Sequence, residues 1–147
     1  PPAIYISYFR LKKVFKRKRI KLCFNCNNPE SLEKLIKEND ILFIFPHQIK
    51  FLKRKSVNLT VAIDCIHEMD KKTIKYYFER ISDFSNLIYF SVWKKTRVPL
   101  SSGLRITSNH LRSSSKTDYQ IPKNWKLIDQ SDLYFPESYD GITYKIK

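Results

Sequence analysis

A chain of 147 residues, 42% of them apolar, is long enough to bury a hydrophobic core and too apolar to be disordered by composition. Its longest uncharged apolar run, residues 41–46, is far too short to cross a bilayer, and no secretory signal pattern is visible. The formal net charge of +14 is compatible with an anionic partner and also with a solvated surface that keeps the protein soluble. We therefore expect one globular domain, residues 1–147, with a cytoplasmic location.

The three cysteines cannot all pair with one another. Cys23 and Cys26 form a single C-x-x-C, and Cys65 is distant in sequence. A structural zinc site would need two further ligands at a suitable spacing, and none lies near this pair. We expect the pair to pack as strand side chains, and we predict no metal site.

The first third of the chain alternates between helical and strand patterns. Apolar residues at positions 4, 8, 11 and 15 have the spacing of an amphipathic helix, and residues 20–25 follow as a short strand. Asn28-Pro29 predicts a helix start, because Asn can cap free amides and Pro is tolerated at the first helical position. The predicted buried stripe of this helix is Leu32, Leu35 and Ile36.

Two apolar strands are predicted next. Residues 41–45 form a strand that Pro46 ends, because Pro has no amide to donate. Residues 57–63 form the central strand, and their pattern is typical of a strand buried on both faces of a parallel sheet. Asp70 is predicted to cap the next helix. The buried stripe of that helix is Ile74, Tyr77, Phe78 and Ile81.

The remaining segments complete an α/β fold. Residues 87–93 predict a strand, residues 94–120 a polar mobile loop, and residues 125–129 and 142–146 two closing strands. Strands separated by helices argue for βαβ units. We therefore predict a mainly parallel sheet flanked by helices, with a C-terminal antiparallel strand pair.

A polar cluster follows the central strand. Its members are Asp64, His67, Glu68 and Asp70. The ligand crevice of an open α/β sheet lies beyond the carboxyl ends of its strands, so this cluster is the candidate site. His67 titrates near neutrality and could act as a general base oriented by Glu68 or Asp70. The alternative is that His67 caps or satisfies the helix that begins at Asp70.

Two common sites are excluded by the small number of glycines. Gly occurs only at positions 103 and 141, so no glycine-rich loop for a phosphate or a dinucleotide is present. No Gly-x-Ser-x-Gly elbow is present either, which argues against an α/β-hydrolase. The residues alone do not fix the reaction.

Four segments, in order, resemble the sugar O-methyltransferase family, whose members are class I enzymes that use S-adenosylmethionine. They are Pro-Pro-Ala-Ile-Tyr-Ile-Ser-Tyr-Phe-Arg-Leu at 1–11, Phe-Pro-His-Gln at 45–48, Ile-His-Glu-Met at 66–69 and Ile-Pro-Lys-Asn-Trp-Lys-Leu at 121–127. The resemblance implies a Rossmann-like, seven-stranded sheet with the cofactor over the carboxyl ends of the first four strands. Residues 41–45 would be the third strand and residues 59–63 the fourth.

The resemblance also implies roles for individual residues. Those near the cofactor would be Phe45, Pro46, His47, Asp64 and Cys65. His67 would deprotonate a sugar or polysaccharide hydroxyl, and Glu68 would assist it. Trp93 and Lys94, at the end of the next predicted strand, could wall the acceptor pocket, and the alternative is that Trp93 fills the core or an edge of the sheet.

Part of the family pattern is not in this sequence. The glycine-rich turn after the first strand and the ribose-binding acid after the second strand are both missing. We therefore interpret the chain as the C-terminal portion of a longer methyltransferase, inactive by itself, or as a degenerate copy. The first strand lies in the middle of the sheet, so its loss would leave neighbouring strands with unpaired edges.

Two other functions stay open. Seven of the ten residues 12–21 are Lys or Arg, as are residues 53–55, which would suit a basic, non-catalytic module for nucleic acid or an anionic surface. No recognised motif interleaves these charges with stacking aromatic residues, so nucleic acid is not expected as a partner. The last possibility is a non-catalytic remnant that serves only as a packing partner.

Overall fold

The computed structural model describes residues 2–63, 65–66, 69–93, 121–132 and 139–147. Contacts divide the chain into two compact units, unit 1 (Pro1–Lys53) and unit 2 (Arg54–Lys147). Either one domain or two is compatible with this division, so the single domain stays a prediction. In the described ranges no helix has both the length and the apolarity needed to cross a membrane. The loop predicted at 94–120 lies outside these ranges.

Unit 1 contains two helices and a two-stranded parallel sheet. Its elements are α1 (Pro2–Val14), β1 (Ile20–Leu22), α2 (Pro29–Glu38), β2 (Ile41–Phe43) and a 3-10 helix (Pro46–Phe51). In the parallel pair, Ile20 lies opposite Ile41 and Leu22 lies opposite Phe43. The predicted helices and strands are present, and both strands are shorter than predicted.

Helix α2 begins where the sequence predicts. Asn28 Oδ1 accepts a 2.8 Å hydrogen bond from Ser31 N, and Pro29 is the first helical residue. Leu32 is fully buried, but Ile36 is 45% exposed, so the buried stripe is narrower than predicted. The small core of the unit consists of Leu32, Cys23 and Cys26, surrounded by Leu35, Leu42, Ile44, Phe51 and Leu52.

Unit 2 contains a four-stranded sheet in the order β3-β4-β6-β5. Its elements are β3 (Val57–Ile63), α3 (Lys71–Phe84), β4 (Ser85–Trp93), β5 (Trp125–Asp132) and β6 (Tyr139–Ile146). Strands β3 and β4 are parallel, and β6 is antiparallel to both β4 and β5. The predicted α/β fold, with parallel pairing, helices and a C-terminal antiparallel strand pair, is confirmed.

Helix α3 is capped as predicted, and Ile74, Phe78 and Ile81 of its predicted stripe are buried, whereas Tyr77 is half-buried. Asp70 Oδ1 accepts a 2.9 Å hydrogen bond from Thr73 N, and Asp70 Oδ2 accepts one of 2.8 Å from Thr73 Oγ1. The ring of Phe78 lies 4.8 Å from Trp125, between centroids, and Trp125 Nε1 donates a 2.7 Å hydrogen bond to Ser82 Oγ. These contacts join α3 to β5 through one aromatic core.

Within the part of the chain that the structure describes, β3 lies at an edge of its sheet. Leu59, Val61 and Ile63, which share one of its faces, are 48%, 53% and 62% exposed. The prediction that β3 is buried on both faces is therefore wrong for this face. Alternation of side chains separates the two faces of a strand, but it does not determine what covers them.

Candidate functional site

The site predicted at the end of β3 falls largely outside the described residues. Asp64, His67, Glu68 and Lys94 all lie outside them. Trp93 ends β4, where its backbone lies opposite Tyr139 of β6. The catalytic and acceptor-binding roles of these residues stay predictions.

The structure describes the residues on both sides of His67, the predicted general base. Ile66 is buried, and its carbonyl accepts a 3.2 Å hydrogen bond from Met69 N, while the side chain of Cys65 is half-buried. On the other flank, both carboxylate oxygens of Asp70 bind Thr73. Asp70 therefore acts as a helix cap.

The carboxyl ends of β1 and β2 carry a series of aromatic rings. The rings of Phe45 and His47, which follow β2, are stacked with centroids 5.9 Å apart and planes inclined by 11°. Phe24, which follows β1, lies 6.3 Å from Phe45, and Tyr5 of α1 lies 6.2 Å from Phe24. Because β1 and β2 are parallel, Phe24 and Phe45 extend from the same edge of the sheet. We call these four residues the aromatic chain.

The aromatic chain is accessible to a ligand. Phe24 is 60% exposed, His47 and Pro46 are exposed, and Phe45 is half-buried. A cavity of about 440 Å³ adjoins Phe24 and is lined also by Asn25 and Lys34. Pockets for small ligands have volumes of roughly 300–1,000 Å³, and exposed rings offer a flat surface on which a heterocycle can stack. This edge of unit 1 can therefore hold a planar base.

Gln48 holds this edge together. It is completely buried, and its Oε1 accepts a 2.8 Å hydrogen bond from Phe45 N. Its Nε2 donates to the carbonyls of Cys23 and Cys26, at 3.3 and 3.4 Å. One amide therefore ties the loop after β1 to the segment after β2. Sequence reasoning missed Gln48, although a Gln at the third helical position often reaches back to the cap amide.

Cys23 and Cys26 are joined by a disulfide, and each is only 1% exposed. The prediction that they pack as separate strand side chains is wrong. The physical reason is that β1 ends at Leu22 and the chain turns, which brings the two Cα atoms to 6.2 Å. Within the described residues no three His, Cys, Asp or Glu side chains are grouped to hold a metal ion.

No protein family model matches the chain, and no curated protein matches it either. Among solved structures, the chain is similar to an rRNA methylase from Escherichia coli, with a TM-score of 0.46 and 8% sequence identity. The similarity covers 99% of this chain and 64% of that one, so the chain spans less than two thirds of that protein's length. This likeness concerns the backbone alone and indicates neither an activity nor a substrate. The resemblance to sugar O-methyltransferases stays a prediction.

Proposed function

We propose that this chain is part of an S-adenosylmethionine-dependent O-methyltransferase whose acceptor is a sugar or polysaccharide hydroxyl. The observation that carries the proposal is the stacked pair Phe45 and His47 at the carboxyl ends of a parallel strand pair. These two positions are the ones that the family resemblance implies for the adenine. Ligands of open α/β sheets bind at this edge.

The described residues fit the adenine part of the cofactor. Phe24 and His47 present exposed ring surface on which a planar base can stack, and a cavity of about 440 Å³ is lined by Phe24 and by residues of α2, though not by Phe45 or His47. The sequence has no glycine-rich turn, and it lacks the acid that the family pattern places at the ribose. The fit therefore covers the base and does not extend to the rest of the cofactor.

S-adenosylmethionine, when bound, supplies a methyl group that its sulfonium already activates. The protein then has to orient the acceptor hydroxyl and accept its proton. In this proposal His67 takes the hydroxyl proton on its unprotonated imidazole nitrogen, and Glu68 stabilises the resulting imidazolium. Asp64 and Cys65 lie beside the cofactor, and Trp93 and Lys94 bind the acceptor.

The first test is cofactor binding by the natural full-length protein, measured by calorimetry with S-adenosylhomocysteine. Phe45→Ala removes the half-buried ring of the stacked pair and is expected to weaken binding about ten-fold or more, because stacking on one aromatic side chain is worth roughly 1–3 kcal/mol. Tyr76→Ala, which removes an exposed ring from α3, is the matched control and should leave affinity unchanged. Equal losses in both variants would contradict the adenine site.

The second readout separates catalysis from binding. His67→Ala is expected to lower kcat by roughly 10²–10⁴-fold and to leave the affinity for S-adenosylhomocysteine unchanged, because a general base contributes to the chemical step alone. Methyl transfer to candidate sugars would be followed with a labelled methyl group. Undiminished turnover in His67→Ala would remove this residue from the mechanism.

A further inference from the structure

We propose that unit 1 binds single-stranded nucleic acid on the outer side of α1 and on the turn that follows it. We call this region the basic surface. It consists of Phe9, Lys12, Lys13, Phe15, Lys16 and Arg17. It is separate from the aromatic chain, so it does not depend on the methyl-transfer proposal.

Unit 1 carries more than half of the net charge. Residues 1–53 contain twelve Lys or Arg and four Asp or Glu, a net +8 of the total +14. Three of the four acids already have cationic partners: Asp40 with Lys18 and Arg19, Glu33 with Lys37 and Lys53, and Glu38 with Lys34. Among the described residues none of the four cations of the basic surface forms an ion pair. All four are exposed, and although Lys12 Nζ lies 5.3 Å from the centroid of the Tyr8 ring, their charges can pair with phosphates.

Helix α1 places exposed rings among these cations. Phe9 is 65% exposed, and Lys12 and Lys13, three and four residues later, are its neighbours on the helix surface. The chain then turns through a hydrogen bond from Lys18 N to the carbonyl of Phe15 at 3.0 Å. Phe15 itself is 45% exposed. The turn contains Lys16 and Arg17, both exposed.

This arrangement differs from that of a membrane-surface helix. Such a helix keeps one apolar face for the lipid and one cationic face for water. In α1 the apolar stripe of Ile4, Tyr8 and Leu11 is half-buried, and the ring of Tyr8 packs edge-on against Phe43 of β2 at 5.9 Å. The outer face mixes an exposed ring with lysines. Ile6 and Val14 of α1 are also exposed, at 55% and 68%, but Arg10 and Lys13 lie between them in the chain, so a lipid surface would meet apolar residues interrupted by cations.

A surface that mixes aromatic rings with cations matches the chemistry of single-stranded nucleic acid. Its phosphates pair with Lys and Arg, and its unpaired bases stack on aromatic side chains. A surface that served solubility alone would not need the exposed rings of Phe9 and Phe15. From the sequence, the basic clusters suited nucleic acid, but no recognised motif indicated that aromatic side chains lie exposed among them. The exposure of these two residues supplies that missing feature.

The test is fluorescence anisotropy with a labelled 20-nucleotide oligo(dT) or oligo(U), between about 50 and 300 mM salt. We expect the logarithm of the association constant to fall with the logarithm of salt with a slope of about −3, because four cations each neutralise one phosphate. A duplex of the same length should bind roughly ten-fold more weakly, since its bases are not free to stack.

Two sets of substitutions separate the charges from the rings. Lys13→Ala combined with Lys16→Ala and Arg17→Ala should make the salt slope shallower by about 2. Phe9→Leu with Phe15→Leu should weaken binding roughly ten-fold and leave the slope unchanged, because Leu keeps the apolar volume and removes the stacking surface. The matched control replaces three exposed lysines of unit 2, Lys72, Lys123 and Lys126, with Ala.

Three results would overturn the proposal. The first is an equal effect of the unit 2 control, which would show that only net charge matters. The second is an unchanged affinity in Phe9→Leu with Phe15→Leu. The third is tighter, ring-dependent binding to vesicles of phosphatidylserine and phosphatidylcholine than to either oligonucleotide, which would assign the surface to a membrane. In every case circular dichroism should show that the variants retain the wild-type fold.

Discussion

The two units of this chain differ in how they use their aromatic residues. In unit 2 the rings of Phe78 and Phe90 are each 1% exposed or less, and Trp125 is 7% exposed, although Tyr76 on the outer side of α3 is 44% exposed. In unit 1 the rings of Phe9 and Phe24 are 65% and 60% exposed, and the core depends on Leu32, a disulfide and one buried amide. The core of unit 2 is therefore largely aromatic, whereas two rings of unit 1 are accessible to solvent.

The largest expected effect is a loss of stability in unit 2. Phe78→Ala should lower the free energy of unfolding by about 3–5 kcal/mol, because it leaves a cavity beside Trp125, 4.8 Å away, and Phe90, 6.0 Å away. Both tryptophans of the chain, Trp93 and Trp125, belong to unit 2. Tryptophan fluorescence in a denaturant series would therefore report this loss directly.

The matching change in unit 1 is Leu32→Ala, at a position with no exposed surface. It should cost about 2–5 kcal/mol, seen by far-ultraviolet circular dichroism, while the tryptophan transition stays in place. If Leu32→Ala shifted the tryptophan transition as far as Phe78→Ala does, the units would unfold as one, and the comparison between them would fail.

An intermediate effect is expected at Gln48. Gln48→Leu replaces the amide with a buried apolar side chain of similar size, which removes the acceptor for Phe45 N and the donors to Cys23 and Cys26. We expect unit 1 to lose about 1–3 kcal/mol, since the groups left without partners are largely desolvated. The neighbouring His47→Ala, at an exposed position, is the control and should change stability by no more than about 0.5 kcal/mol. An equal effect of the two variants would contradict the structural role of this amide.

The smallest effect is a pH dependence of the stability of unit 1. A hydrogen bond from Arg19 N lowers the pKa of Asp40, with further contributions from the charges of Lys18 and Arg19. A carboxyl whose pKa is lowered in the folded state stabilises it above the unfolded pKa, and this contribution is lost as the pH falls through the folded pKa. Unit 1 should therefore lose stability as the pH drops below about 4.

Asp40→Asn is the variant that checks this dependence. It removes the titrating group, so its denaturation midpoint in unit 1 should change less between pH 5 and about pH 3 than that of the wild type. Because Asp40 is at the surface, the difference should shrink in high salt. An identical pH profile in the two proteins would show that Asp40 contributes nothing.

The features that the sequence predicted correctly are local ones. The caps at Asn28 and Asp70 depend on residues three positions away, and the stripe of Ile74, Phe78 and Ile81 follows from helical spacing alone. Parallel pairing of β3 with β4 followed from the intervening helix.

The features that sequence reasoning missed depend on distant neighbours. Gln48 is buried because residues 22 and 25 positions earlier supply its partners. The outer face of β3 is exposed because no described element covers it, and its own alternation does not contain that information. For the candidate site, the structure brings Phe45 and His47 together. His67 and Glu68 lie outside the described residues, so their roles stay predictions.

Among the described strands, β3 has a hydrogen-bonded neighbour on one side only, which has a consequence for the behaviour of the chain at high concentration. With its other side unpaired by any described strand and with Leu59, Val61 and Ile63 exposed, β3 can template the addition of another extended segment, which is the first step of β-aggregation. Arg54, exposed just before this strand, opposes the side-by-side approach of two copies, since like charges then meet. Added salt screens that repulsion, so self-association at this edge should increase with ionic strength.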